Sequence, residues 1–171
     1  MTSEDHEGQA LSTGPAHPGD VAVIAGLLDA AQPDCVPMLP AEIRAHLDEI
    51  EVIRDPSGEV IATAALRPLD EGRGELRGLA VAPGWRGRGL GVALLHRIVS
   101  RALLEERLLV CVTRQRSYFL RQGFRDIPLS SVPSKPGRPA TPPSAEQPRV
   151  AMALPWTRSE PSRSKERPHV R

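Results

Sequence analysis

VAPGWRGRGLGVALL, residues 81–95, joins a strand-like run to a helix-like run through four glycines and two arginines. Pro83 ends the strand pattern, and apolar residues at helical spacing follow the last glycine. A helix that begins here presents unpaired backbone N–H groups at its N-terminus, where they can bind an anion. Glycines let this backbone approach a ligand closely, and the arginines add positive charge. The junction therefore predicts a ligand that carries phosphates.

The spacing of the glycines excludes two common phosphate-binding motifs. A Walker loop has the form GxxxxGK[ST], and its spacing fits from Gly84 onward. Leu90 and Gly91 then occupy the positions of the lysine and of the magnesium-binding hydroxyl, so this motif fails. A dinucleotide fingerprint, GxGxxG, fails as well because Val92 stands where the third glycine is needed.

Composition predicts one soluble domain and gives little information about partners. The 171 residues are 40% hydrophobic and 25% charged, with a formal charge of +1, so nothing in the overall charge points to nucleic acid. There is no apolar run long enough for a membrane span and no secretory signal, and we expect a cytoplasmic protein without a membrane partner. Cys35 and Cys111 lie far apart, without a metal-ligand pattern. We therefore expect two buried thiols and no metal.

The pattern on either side of the junction predicts alternating helices and strands. Asp20 is a candidate N-cap for a helix that ends at Ala31. A second short helix starts near Pro40, and the third and longest places an apolar stripe against the core. The predicted strands cover residues 11–16, two arms of a hairpin within 51–68, 74–81, 108–112, a run from residue 124, and 149–154; the other helices cover 91–107 and 117–122. The stripe of the longest helix is Leu94, Leu95, Ile98, Ala102 and Leu103, and that of the short helix is Ile43, Leu47 and Ile50.

Proline and charge divide the chain into segments. Ten of the 18 prolines lie in the last 44 residues, too many for regular helices or a central strand. We expect a flexible N-terminus over residues 1–10, one domain over residues 11–154 with a proline-rich insertion at about 128–148, and a disordered basic tail over residues 155–171. Acidic residues interrupt the basic tail and aromatic residues are scarce, which argues against nucleic acid as a partner.

The residues of the junction carry a family resemblance. Residues 86–91, RGRGLG, fit the R/Q-x-x-G-x-G/A signature of the GNAT superfamily of N-acetyltransferases. GLAVAP before the junction and YFLRQGF after it resemble the flanking strand and a later helix of that superfamily. The resemblance covers roughly residues 11–127 and a last strand near Val150. It implies an α/β (α+β) chain with the GNAT acyl-CoA N-acyltransferase fold, a central mixed, mostly antiparallel sheet flanked by helices. It also implies acetyl-CoA as co-substrate and no metal.

The resemblance implies a role for each side of the junction. The loop amides would bind the cofactor pyrophosphate, from Arg86, Gly87, Arg88, Gly89, Leu90 and Gly91. The strand end would hydrogen-bond the pantetheine arm, through Leu79, Ala80 and Val81. Two neighbouring strands commonly separate there in the superfamily, which leaves amides unpaired. The amide of Val81 is then the candidate donor to the oxyanion that forms during acyl transfer.

The residues expected to transfer protons match the superfamily pattern less closely than the junction does. Glu75 occupies a position where many members of the superfamily have an acid that removes the proton of the amine, often through water. The usual acid for the departing thiolate is a tyrosine four residues before the glycine of the Gly-Phe pair, and here that residue is Phe119. Tyr118 lies one residue earlier. Two alternatives follow: Tyr118 protonates the thiolate from a shifted helix, or water does.

Further matches resemble the acetyltransferase domain of N-acetylglutamate synthases. They are the PAHPGD pattern, MLP before a helix, ATAALRPL, GELRGLAVAP and VTR before an aromatic-Phe step. That group also carries Phe in place of the tyrosine, and its Arg after Thr helps bind the carboxylate of the acceptor, which implies this role for Arg114. Three residues depart from the pattern of that group. Ala41 and Glu42 stand where arginine is expected, and Gln115 is the polar residue after Arg114.

The expected reaction is acetylation of a small amine acceptor that resembles an amino acid, with glutamate favoured. No amino-acid-kinase domain precedes this segment of sequence, so we expect a stand-alone acetyltransferase. The alternatives are a GNAT enzyme that acetylates a protein N-terminus, a lysine or another amine, and a non-catalytic module that binds acyl-CoA. A homodimer is a further possibility.

Overall fold

The computed structural model describes residues 10–133 and 149–155. This part of the chain contains four α-helices and one sheet of seven strands. The helices are α1 Val21–Ala30, α2 Pro40–Ala45, α3 Leu90–Leu104 and α4 Arg116–Arg121. The strands are β1 Ser12–Pro15, β2 Ile50–Arg54, β3 Val60–Pro68, β4 Arg73–Val81, β5 Leu108–Thr113, β6 Arg125–Ile127 and β7 Val150–Ala153.

The strands lie in the order β1-β2-β3-β4-β5-β7-β6. Strands β4 and β5 are parallel, and every other neighbouring pair is antiparallel. A parallel pair needs a crossover connection, and α3 provides it between β4 and β5. The predicted mixed, mostly antiparallel sheet flanked by helices is therefore confirmed.

Helices cover both faces of the sheet. On one face the fully buried side chains of α3 are Leu94, Leu95 and Ile98, which pack in one core cluster. On the other face, a second cluster contains Ile24 of α1 and Ile43 of α2. The buried residues of α1 and α3 recur at helical spacing, which explains why the sequence pattern predicted these two helices.

The hairpin, the central strand β5 and the strand near the end of the chain are confirmed, but two core assignments are wrong. Leu103 is 44% exposed, because it lies at the edge of the stripe that α3 turns toward the sheet. Ile50 does not share a helical face with Ile43, because α2 ends at Ala45 and Ile50 begins β2. The helix predicted over residues 91–107 also ends earlier, at Leu104.

Asp20 precedes α1 as predicted, but its side chain does not cap that helix. Its two carboxylate oxygens each accept a hydrogen bond of 2.7 Å from the Arg54 guanidinium on β2. One of them also accepts a hydrogen bond of 2.6 Å from the backbone N–H of His17. The hydrogen bond from Arg54 lowers the pKa of Asp20 despite partial burial. Asp20 thus ties the start of α1 to the sheet.

Residues 1–9, 134–148 and 156–171 lie outside the described part of the chain. The predicted flexible N-terminus, most of the proline-rich insertion and nearly all of the basic tail fall on them, and those predictions stay open. Among the described residues, no helix is both long enough and apolar enough to span a bilayer.

Candidate functional site

Strands β4 and β5 separate part of the way along their length. Their parallel pairing joins Arg73 to Leu108, Gly74 to Leu109 and Glu75 to Val110, and in the described chain the register goes no further. The rest of β4, through Val81, therefore runs without β5 beside it. The gap between the two strands exposes backbone in the middle of the sheet, where a ligand can reach it.

A bulge in β4 accompanies this separation. Thr63 of β3 lies opposite Ala80, whereas Ala65 lies opposite Arg77, so β4 contains one more residue than β3 over this stretch. Gly78 falls within it, at φ +57°. A Cβ at Gly78 would lie 3.2 Å from Leu28 Cδ2, so both the backbone conformation and the close packing of α1 favour glycine.

A cavity of about 640 Å³ occupies the gap. The glycine-rich loop forms one end, with Arg86 and Gly89 among its lining residues. Another part of the lining includes Glu75 and Arg77 on β4 and Asp34 on the loop between α1 and α2. We call these the loop end and the α1–α2 end of the cavity.

The loop end has the geometry of an anion site. Gly87 and Gly89 have φ of +74° and +79°, and a Cβ at either would meet no atom within 4 Å, so the backbone surface is open. Gly89 precedes α3, whose first hydrogen bond runs from the Ala93 N–H to the Gly89 carbonyl at 3.0 Å. The N–H groups of Leu90 and Gly91 therefore point out of the helix end. Such a helix end suits a phosphate, and the phosphate site at this loop stays a prediction.

The two arginines of the loop pack against the protein. Arg86 Nε donates a hydrogen bond of 3.1 Å to the Val81 carbonyl. The Arg88 guanidinium lies 4.7 Å from the centre of the Trp85 ring, within cation–π distance. Both residues are exposed, so they contribute positive charge to the loop end while these contacts order the loop.

The end of β4 presents one of its amides to the gap. The Ala82 N–H donates to the Ile61 carbonyl of β3 at 2.8 Å. Successive N–H groups along a strand point to opposite edges, so the Val81 N–H points away from β3, toward the space that β5 has left. Leu79 and Ala80 line the same cavity.

Glu75 lies where the two strands begin to separate. It is 8% exposed, and its Oε2 lies 3.8 Å from Arg77 Nε. The neighbouring strands bury this carboxylate. Arg77 was not among the predicted site residues, and its alternation with Glu75 on one strand face is the signal that identifies it.

Cys35 differs from the prediction of a buried thiol. It is partly exposed, lines the cavity, and its thiol donates a hydrogen bond of 3.2 Å to the Leu79 carbonyl. Burial, with a smaller contribution from the Asp34 charge, raises the pKa of Cys35 to about 11. Cys111 is buried as predicted, and burial, with the Glu75 charge, raises its pKa to about 12. Both thiols are protonated at neutral pH.

The side chains of Tyr118 and Phe119 diverge. Phe119 is buried in the core, with its ring 5.1 Å from that of Phe124. Tyr118 lines the cavity, and its buried hydroxyl has no hydrogen-bond partner among residues 10–133 and 149–155. This hydroxyl lies 3.5 Å from the position of a Cβ at Gly91, beside the first turn of α3. Burial raises the pKa of Tyr118, so it is a donor at neutral pH.

Arg114 follows β5 and is half-buried. The described residues that line the cavity do not include Arg114, so its role in binding an acceptor stays a prediction. Its neighbour Gln115 does line the cavity and donates a hydrogen bond of 2.7 Å to the Asp34 carboxylate. Gln115 thus links the end of β5 to the loop between α1 and α2.

Glu42 is one of the departures from the N-acetylglutamate synthase pattern, and it is bound by two arginines. Its Oε1 lies 3.0 Å from Arg67 Nη1 and 3.3 Å from Arg77 Nη1. Arg67 Nε also lies 3.0 Å from Glu49. Within the described ranges, no group of three or more His, Cys, Asp or Glu side chains is arranged to hold a metal ion.

Comparison with known proteins finds acetyltransferases, both among family models and among individual relatives. A model of the acetyltransferase (GNAT) family matches residues 27–124. An amino-acid acetyltransferase of Aliivibrio fischeri is 35% identical over 124 residues, which cover 66% of this chain and 27% of that relative. An amino-acid acetyltransferase of Pseudomonas syringae is 42% identical over 80 residues, which cover 45% of this chain and 18% of the relative. This chain therefore spans about a quarter of the length of such relatives or less.

Two solved structures share the fold. Rv2747 from Mycobacterium tuberculosis, in a complex that contains CoA, has a TM-score of 0.69 at 22% identity, over 84% of this chain and 99% of the other. N-acetylglutamate synthase from Neisseria gonorrhoeae, complexed with coenzyme A and N-acetyl-glutamate, has a TM-score of 0.70 at 22% identity, over 86% of this chain and 36% of the other.

Proposed function

Because this chain belongs to the GNAT family of acetyltransferases, we propose that it transfers an acetyl group from acetyl-CoA to the amine of a small amino-acid-like acceptor, with glutamate favoured. The observation that carries this proposal is the cavity between β4 and β5. It has an anion-binding helix end on one side and a buried carboxylate, Glu75, on the other. An acyl-CoA and an amine would therefore meet at the opened middle of the sheet.

The loop end fits the pyrophosphate of CoA. The N–H groups at the start of α3 and the open backbone at Gly87 and Gly89 supply donors and space, and the adjacent arginines supply positive charge. The edge of β4 from Leu79 to Val81, which has no β5 beside it, suits the amide-rich pantetheine arm. Acetyl-CoA would supply the acyl group as a thioester, and this chain would orient it.

Three groups of the chain fit the steps of acyl transfer. The Val81 N–H points into the gap and would stabilise negative charge on the carbonyl oxygen. Glu75 would accept the proton of the acceptor amine, directly or through a water molecule. Tyr118, protonated at neutral pH, would donate a proton to the departing thiolate, and water is the alternative donor.

The acceptor is proposed on two grounds. The matched relatives are named amino-acid acetyltransferases, and the α1–α2 end of the cavity carries charges of both signs, Glu75 and Arg77. A zwitterionic amino acid complements such a pair. Arg114 stays a candidate for binding a carboxylate of glutamate.

Release of free thiol from acetyl-CoA, measured across amino acids, simple amines and peptides, tests the proposal, with mass spectrometry to identify the acetylated product. Glu75→Gln, which keeps the shape and removes the base, should lower kcat by about 100-fold while CoA affinity stays unchanged. Tyr118→Phe should lower kcat by about 10-fold if the tyrosine is the acid, since a thiolate is a tolerable leaving group. If no amine stimulates release while CoA still raises the melting temperature, the protein is an acyl-CoA-binding module.

One observation favours a second acceptor class. Leu39, on the loop between α1 and α2, is 74% exposed next to Met38, which lines the cavity. A large apolar side chain at this position suits a peptide, so acetylation of a protein N-terminus or of lysine is the alternative. Preference for peptides over free amino acids in the same assay would support it. The cytoplasmic location and the homodimer stay predictions.

A further inference from the structure

Arg77 brings a buried positive charge to the α1–α2 end of the cavity. Its side chain is 11% exposed. Arg77 follows Glu75 by two residues on β4, so both side chains project from the same face of the strand. The other described arginines that line the cavity, Arg86 and Arg121, are exposed, and Arg86 lies at the loop end. Arg77 is therefore the least exposed of the described arginines that line the cavity, and it lies next to the proposed base.

The separation between Glu75 and Arg77 restricts which molecules can contact both. Glu75 Oε2 lies only 3.8 Å from Arg77 Nε. An acceptor that carries its amine and its anion on the same carbon atom can bring the amine to Glu75 and the anion to Arg77 at the same time. In an α-amino acid, the amine and the α-carboxylate share one carbon atom. A carboxylate at the far end of a side chain is separated from the amine by several more bonds.

We propose that Arg77 binds the α-carboxylate of the acceptor and thereby selects free α-amino acids. This inference rests on the proposed acetyl transfer and extends it to a residue that determines specificity. Arginine suits the role because its planar guanidinium offers parallel N–H donors to the two oxygens of a carboxylate. A protein N-terminus carries an uncharged amide at that carbon and a lysine side chain carries only hydrogens, so neither would engage Arg77 in this way.

The contacts of Arg77 place its guanidinium beside two carboxylates, those of Glu42 and Glu75. Its distances to Glu42 and Glu75 are 3.3 and 3.8 Å, whereas Arg67 lies 3.0 Å from both Glu42 and Glu49. Glu42 would therefore keep a close partner when an incoming carboxylate bonds to Arg77.

The charge of Glu42 supports the same arrangement. Burial alone would raise the pKa of Glu42, but the hydrogen bond from Arg67 and the charge of Arg77 lower it. Glu42 is therefore ionised at neutral pH and orients the Arg77 guanidinium from the side of α2. Glu42 stands where the related synthases are expected to have arginine. Here it positions Arg77, an arginine of β4.

Paired acceptors test this inference. Thiol release from acetyl-CoA is measured with glutamate, with other amino acids, and with the α-carboxamide of each, for the unmodified protein, Arg77→Gln and Arg77→Lys. For the unmodified protein, we expect the amide to lower kcat/KM by about 100-fold relative to the free acid. With the free acids, Arg77→Gln should lower kcat/KM by a similar factor relative to the unmodified protein. With the amides, the same variant should lower kcat/KM little, since Arg77 and the α-carboxylate act as one pair. Arg77→Lys should retain part of the activity.

Two controls make the result specific. CoA affinity and melting temperature, measured for each variant, separate loss of acceptor binding from loss of fold. Arg114→Gln is the matched comparison, and it should leave the ratio between free acid and amide unchanged. A ratio that collapses in Arg114→Gln and persists in Arg77→Gln would overturn the inference, as would equal loss by Arg77→Gln on acids and amides. Absence of release by the unmodified protein with every acceptor would instead refute the proposed function, and this inference with it.

Discussion

Gly91 allows a direct test of the anion site, because a side chain there faces the cavity without disturbing the fold. Unlike Gly87 and Gly89, it does not have a positive φ. A Cβ at Gly91 would lie 3.5 Å from the Tyr118 hydroxyl and 3.8 Å from Val81 Cγ2, which are ordinary van der Waals contacts. We compare Gly91→Glu with Gly91→Gln, two side chains of nearly the same size that differ in charge.

Both variants should be more stable than the unmodified protein, but only Gly91→Glu should lose affinity for CoA. Replacement of a helical glycine contributes about 0.5–1 kcal/mol to folding, less in the first turn, and a carboxylate at a helix N-terminus contributes about 0.3–1 kcal/mol more. Against a phosphate, the same carboxylate is repulsive. At about 6 Å and an effective dielectric constant near 20, two unit charges interact by about 3 kcal/mol, which corresponds to roughly 100-fold in Kd.

Calorimetric titration with CoA and thermal unfolding of each variant measure the two effects. Gly91→Glu should bind CoA about 100-fold more weakly than Gly91→Gln, and added salt should narrow the difference by screening. Pantetheine, which has no phosphate, serves as the control ligand and should not distinguish the variants by charge. Equal CoA affinity for Gly91→Glu and Gly91→Gln would refute the assignment of the pyrophosphate to the start of α3.

Three further predictions concern stability and reactivity. Asp20→Asn should lower the free energy of unfolding by about 2 kcal/mol at pH 7, because it removes the charge that holds Arg54. The folded-state pKa of Asp20 is lowered, so this contribution is present above pH 4 and is lost as the pH falls through the folded pKa; denaturant titrations of both proteins should converge in acid, and a pH-independent difference would contradict the reasoning. Alkylation of Cys35 by iodoacetamide at pH 8, followed by peptide mapping, should be on the order of 100-fold slower than for a free thiol and should accelerate toward pH 11, whereas rapid labelling at pH 8 would argue against a protonated thiol. Gly78→Ala should cost about 1–3 kcal/mol in chemical denaturation because of its positive φ and close neighbour, whereas the control Gly84→Ala, which has open space, should cost little.

Local sequence was sufficient for most of the elements. The hairpin turn, the apolar stripe of α3 and the glycine-rich junction each depend on residues close together in the chain, so pattern and spacing predicted them. The sequence-based predictions were wrong where contacts with residues far away in the chain override the local pattern. Asp20 has the residue type of an N-cap, but Arg54 of β2 binds its carboxylate instead. Ile50 continues a helical pattern, but pairing with Ala65 draws it into the sheet.

The sequence by itself determined the glycine-rich junction between β4 and α3, since the strand end, the glycines and the helix start are nearly consecutive residues. Only the tertiary structure decided what surrounds it. The neighbouring strands bury Glu75 at the point where β4 and β5 diverge, and α4 places Tyr118 in the lining of the cavity. The position of α2 beside the sheet brings Glu42, which stands where arginine was expected, against Arg77 of β4. The physical reason is that burial and charge pairing depend on strands and helices far apart in the chain, and no local pattern records which side chains they bring together.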